Sequence, residues 1–101
     1  MKMVMVLYRR SLDQDIRHLL KELDITAFTE APKVLGIGEA GQAFGSFTWP
    51  GHHAIILSAM EDFQAERLIE VLKEFRDHLC GLQGGAKVPM RVFVVPCEQS
   101  I

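Results

Sequence analysis

Basic residues do not outnumber acidic ones in this chain: 11 Lys and Arg stand against 13 Asp and Glu, a formal net charge of −2. A nucleic-acid binder shows a basic stripe, and the only adjacent basic pair here is Arg9-Arg10, so no nucleic-acid partner is expected. Long hydrophobic runs are missing too. No stretch approaches the ~18 apolar residues of a membrane helix, which predicts no direct membrane insertion. The apolar run Met3–Tyr8 is too short for a signal segment, and no small-residue cleavage site follows it. The expected localisation is therefore cytoplasmic. Cysteine is scarce. Cys80 and Cys97 form no CxxC and no ligand cluster, and read as two reduced, partly buried thiols. Signatures of catalysis are lacking as well: there is no GxSxG, no HExxH and no cysteine in an activating context, so the chain is not expected to be an enzyme.

What is present describes one α+β domain over residues 1–101, a length close to that of a single domain. Met3 to Tyr8 reads as a buried central strand. Ser11 then opens a helix, with Ser11 and Gln14 at capping-box spacing and Asp13 and Asp15 at the positive end of its dipole. Leu12, Ile16, Leu19, Leu20 and Leu23 form the apolar face of that helix, which should end near Asp24. Arg17 and His18 lie off the stripe and read as solvated. Thr26 to Gly36 suggests a second strand, bent near Pro32. His53 to Met60 is a strong third strand. Asp62 is placed as the N-cap of a second helix whose buried stripe is Phe63, Leu68, Ile69, Leu72, Phe75 and Leu79, with Gly81 as its stop. Met90 to Val95 is the last strand. The order β-α-β, β-α-β predicts a ferredoxin-like split β-α-β fold: a four-stranded antiparallel sheet with two helices on one face. The strand centres are apolar on consecutive residues, which points to burial of both sheet faces and hence to an oligomer.

Two segments stand apart from this pattern. Residues 36–53 contain five of the eight glycines and no sustained period, so they read as a long functional loop. Gly36-Ile37-Gly38-Glu39-Ala40-Gly41 matches GxGxxG, yet it follows the second strand and opens no helix, so it is no dinucleotide fingerprint. Its glycines still let backbone N–H groups approach an anion closely. Residues 81–88 form a second, shorter loop. Within it, Gly84-Gly85-Ala86-Lys87 sets a cation beside free backbone N–H groups, as a phosphate cradle requires, but is no Walker loop. Phe44, Phe47 and Trp49 in the long loop are natural anchors for a protein partner. His52-His53 precede the third strand. Neighbours on an extended chain face opposite ways, so a shared metal would need two copies meeting at a subunit boundary.

At these loops the chain resembles the PII superfamily of nitrogen regulatory proteins, in particular its divergent PII-like branches. The long loop stands where those proteins carry a T-loop, and Gly36–Gly41 occupies the glycine-rich base of that loop. Gly84-Gly85-Ala86-Lys87-Val88 is similar to their B-loop, and the Trp49-Pro50-Gly51 turn resembles one in PII-like branches. The resemblance implies a homotrimer with clefts between subunits. Gly36, Ile37, Gly38, Glu39, Gly84, Gly85 and Lys87 would line a cleft for an adenine nucleotide or a metabolite. Phe44, Phe47 and Trp49 would carry the signal to a transporter or enzyme. Glu39 and Ala40 replace the family's phosphate-facing Arg and Gln, which fits another nucleotide, bicarbonate or a metal. The loop has no tyrosine, Tyr8 being the only one in the chain, so tyrosine modification of the loop is excluded. The alternative is a trimeric metal-binding or metal-tolerance protein of CutA-like fold, holding a divalent metal through His52 and His53 with Glu39 and Cys97.

Overall fold

In the strand that opens the chain, alternate side chains meet different surroundings, and this sorts the apolar run into two faces. The computed structural model describes residues 1–34 and 53–101. Strand β1 spans Lys2–Arg9, a 3-10 turn covers Arg10–Leu12, and helix α1 spans Asp13–Glu22. Strand β2 spans Thr29–Val34 and β3 spans His53–Met60. Helix α2 runs over Asp62–Leu82 and β4 over Met90–Pro96. The sheet order is β2-β3-β1-β4, and every adjacent pair is antiparallel. This is the ferredoxin-like split β-α-β arrangement expected from the element order.

Register assigns the faces. Val4, Val6 and Tyr8 lie opposite Ser58, Ile56 and Ala54, and all six are buried. The same core holds Ile16 and Leu20 from α1 and Ala65, Leu68 and Leu72 from α2, so both helices cover this one face. Ser58 is the polar member, and its hydroxyl donates to the Ala27 carbonyl at 2.8 Å, which satisfies it inside the core. The opposite face carries Met3, Met5, Leu7, Ile55, Leu57, Phe93 and Val95. Among the described residues no helix lies over it, and Phe93 is 49% exposed.

The helix ends differ from the sequence expectation in instructive ways. Ser11 is not a cap: it lies inside the 3-10 turn, the N-cap of α1 is Leu12, and no side chain caps it. Asp13 and Asp15 do occupy the first turn. Helix α1 stops at Glu22 through a left-handed Asp24 (φ 57°). The Ile25 N–H then donates to Leu20 O at 2.9 Å, and both residues are buried, as in a Schellman cap. On α2 the N-cap is Glu61 rather than Asp62, and Glu61 forms a capping box with Gln64. Asp62 instead pairs with the Met1 ammonium at 3.1 Å. Phe63, placed on the buried stripe from its spacing, is 71% exposed, because Ala65 rather than Phe63 turns toward the sheet. Gly81 does not stop α2. The helix passes through it, and Gly84 (φ 67°) and Gly85 (φ 91°) end it.

Candidate functional site

The turn after α2 is built by those two glycines. The Gly85 N–H donates to Cys80 O at 2.8 Å and the Gly84 N–H to Gly81 O at 3.3 Å, a pairing that closes the helix and needs the left-handed φ that glycine adopts freely. A Cβ at either position would meet nothing within 4 Å, so backbone conformation rather than crowding selects glycine here. The Gln83 amide then spans the turn, donating to Ala86 O at 3.2 Å and Lys87 O at 3.4 Å. Lys87 is exposed. Val88 packs against the core, which anchors the loop, and Pro89 O accepts the Arg9 N–H at 3.0 Å, which ties it to the end of β1.

That end of the sheet is also where the long segment begins and returns. Arg9 lies opposite His53 in register, and His53 lies opposite Val34. The loop at 84–87, the last residue of β2 and the first residue of β3 therefore share one end of the molecule. His53 is 1% exposed, and strand alternation sets it on the sheet face of Ile55 and Leu57, opposite the helix-covered core. Cys97 is at the other end, where its N–H donates to Met1 O at 3.3 Å. Gly36, Ile37, Gly38, Glu39, Phe44, Phe47, Trp49 and His52 lie outside the described residues. Among the described residues, no group of three or more His, Cys, Asp and Glu side chains is placed to hold a metal ion.

One cluster escaped the sequence reading. Tyr8 is fully buried, and its hydroxyl lies 2.6 Å from Asp13 Oδ1 and 3.0 Å from Glu30 Oε1. Arg17 donates from Nε to Asp13 Oδ2 at 3.0 Å and from a terminal nitrogen to Glu30 Oε2. Its guanidinium also sits 5.7 Å from the Phe28 ring centre, over its face. Burial first, then the bonds to and charges of the two carboxylates, push the Tyr8 phenol well above its ordinary range, so it stays a neutral donor. Burial would raise the Asp13 carboxyl. The bond from Tyr8, the neighbouring Glu30 and the Arg17 guanidinium outweigh it and hold Asp13 below its usual value. Arg17 is likewise held above its own usual value: its partial burial acts the other way, but Asp13 and Glu30 prevail. Arg17 is thus no idle solvated side chain. The signal was hidden because Tyr8 and Glu30 are far apart in sequence and meet only through β3 pairing with both of their strands.

No family model matches the sequence, and no curated protein does. Solved structures do. The chain is similar to the apo form of CPII from Thiomonas intermedia K12, a nitrogen regulatory PII-like protein, with TM-score 0.67, 16% identity, and coverage of 93% of this chain and 85% of that one. A putative PII-like signalling protein from Thermus thermophilus matches with TM-score 0.65 and 16% identity over 93% and 82% of the two chains. CPII bound to ADP, AMP and acetate gives 0.66 and 17% over 92% and 81%. At such identity the likeness is one of fold: the chain has the PII-like fold.

Proposed function

From this fold we propose that the protein is a PII-like regulator. It binds an adenine nucleotide or a small metabolite in clefts between subunits and signals to a partner through residues 36–53. The observation that carries this reading is the gathering of both loop roots and the glycine turn at one end of the sheet, through the Arg9–His53–Val34 row and the bond from Arg9 to Pro89. Gly84 and Gly85 hold a turn of exposed backbone, and Lys87 adds a cation, a combination suited to phosphate oxygens. Gly36, Ile37, Gly38 and Glu39 complete the cleft from the long segment, and Phe44, Phe47 and Trp49 engage the partner, a transporter or an enzyme. The role is binding and signalling, without catalysis, in the cytoplasm.

A homotrimer would cover Leu57 and Phe93, which are exposed on the sheet face away from the two helices. The relatives lend the ligand class: CPII has been solved with ADP, AMP and acetate, and with ADP and bicarbonate.

Thermal shift against ATP, ADP, AMP, cyclic nucleotides, bicarbonate and divalent metals tests the reading. A ligand at ~100 times its Kd adds about 2.7 kcal/mol of stability. A shift with an adenine nucleotide that Lys87→Ala removes is the expected result. A nucleotide shift untouched by Lys87→Ala rejects the assigned cleft, and a shift with metal alone rejects the nucleotide reading.

A further inference from the structure

We infer that β2 is a strap that opens separately from the rest of the fold, latched to β1 and α1 by the Tyr8–Asp13–Arg17–Glu30 cluster. The strand is poorly held by other means. Among the described residues it is an edge strand, paired with β3 alone, and none of its six residues is buried. Its register with β3 breaks between Ala31 and Val34, around Pro32, which has no N–H to offer the ladder. β1, by contrast, pairs with β3 along all eight residues without interruption and places Val4, Val6 and Tyr8 in the core. Hydrophobic burial thus fixes β1 and leaves β2 to polar contacts.

Glu30 is the residue of β2 that makes them. It lies on the helix-covered face, opposite Ile56. There it meets the Tyr8 hydroxyl from β1 and the Arg17 guanidinium from α1, with Asp13 of α1 contacting both of those groups. Tyr8 is the fixed post, since its ring is wholly enclosed. Arg17 is the releasable catch, its side chain 45% exposed, so salt and substitution both reach its ion pairs. A segment with little apolar burial and a few decisive polar ties opens at lower free energy than the body that carries it. The strap leads directly into residues 35–52. Its consequence for signalling rests on the function proposed above: a change of shape in the long segment would pass along β2 to Glu30 and on to α1.

Amide hydrogen exchange on the ligand-free chain at neutral pH tests the latch. Arg17→Met keeps the apolar stem and removes the charge. Glu30→Gln keeps an acceptor for Tyr8 and loses the ion pair. Each is expected to raise exchange of the β2 amides about tenfold or more while the β1–β4 ladder keeps its protection. Wild-type protein moved from low salt to 1 M, where the screening length falls to ~3 Å, should show the same selective rise, and this arm remains if a variant does not fold. Exchange of β2 that stays unchanged, or that rises in step with the β1–β4 ladder, overturns the inference. The two readings fail independently: absent nucleotide binding rejects the proposed function and leaves the latch, whereas β2 opening only with the whole fold rejects the latch whatever binds.

Discussion

Tyr8 has one proton and two carboxylates within reach of its hydroxyl. Replacing it by Phe leaves two negatively charged groups facing an apolar ring, and the unmade bonds to charged partners should cost about 1.5–3 kcal/mol, read from urea denaturation of Tyr8→Phe. Its neighbour Asp13 makes a pH prediction whose sign is fixed. Its carboxyl is depressed in the folded protein below its value of 3.8 in the unfolded chain. The unfolded state therefore binds the proton first as pH falls. Stability from this group is complete above the unfolded value and is lost as pH drops through the folded one. Melting temperature followed from pH 6 to pH 2 should fall less steeply in Asp13→Asn than in wild type. At Gly84, alanine would meet no atom within 4 Å but must adopt φ 67°. A loss of about 1–2 kcal/mol is expected from conformation alone, and a neutral result in denaturation would mean that the turn rearranges.

At the scale of elements, α2 carries the core. Leu68 is 1% exposed, and Leu68→Ala should cost roughly 2–5 kcal/mol through lost burial and the cavity left behind. Chemical denaturation reads this directly. The element order, the central place of β1, the strength of β3 and the position of α1 were all legible in the chain, because apolar spacing is a local signal that tertiary packing here respects. Boundaries were less so. Ser11 carries cap chemistry, yet the chain leaves β1 through a 3-10 turn that absorbs it. Gly81 looks like a stop, but helix geometry tolerates glycine, and the left-handed φ falls three residues on. The bend at Pro32 was readable because a missing N–H is a covalent fact. Of the candidate site, the glycine turn was legible for the same reason. The latch was not, since nothing in the spacing of Tyr8, Asp13, Arg17 and Glu30 announces that β3 will bring β1 and β2 to the same side of α1.

For the whole molecule, the sheet is the boundary between a finished half and an unfinished one. Its helix side is a closed core, while its other side presents Leu57 and Phe93 at 36% and 49% exposure, next to Met5 in register with both. Apolar rows of this kind mark association surfaces. A carboxylate set among them should block assembly, so Phe93→Glu is expected to elute as a monomer in size-exclusion chromatography with light scattering, against the trimer proposed for wild type. A monomeric wild type would remove the basis for intersubunit clefts. The thiols lend this architecture a practical use. Cys80 sits beside the glycine turn, its carbonyl bonded to Gly85, and Cys97 sits at the far end beside Met1. Between them lie the end of α2, the glycine turn and the seven residues of β4, the strand alone being about 20 Å of extended chain. Both are half-buried and unpaired with each other. The native chain thus carries a reporter at the candidate site and an internal reference at the opposite pole: thiol-modification rates compared with and without nucleotide would separate local protection at Cys80 from a general tightening that slows both.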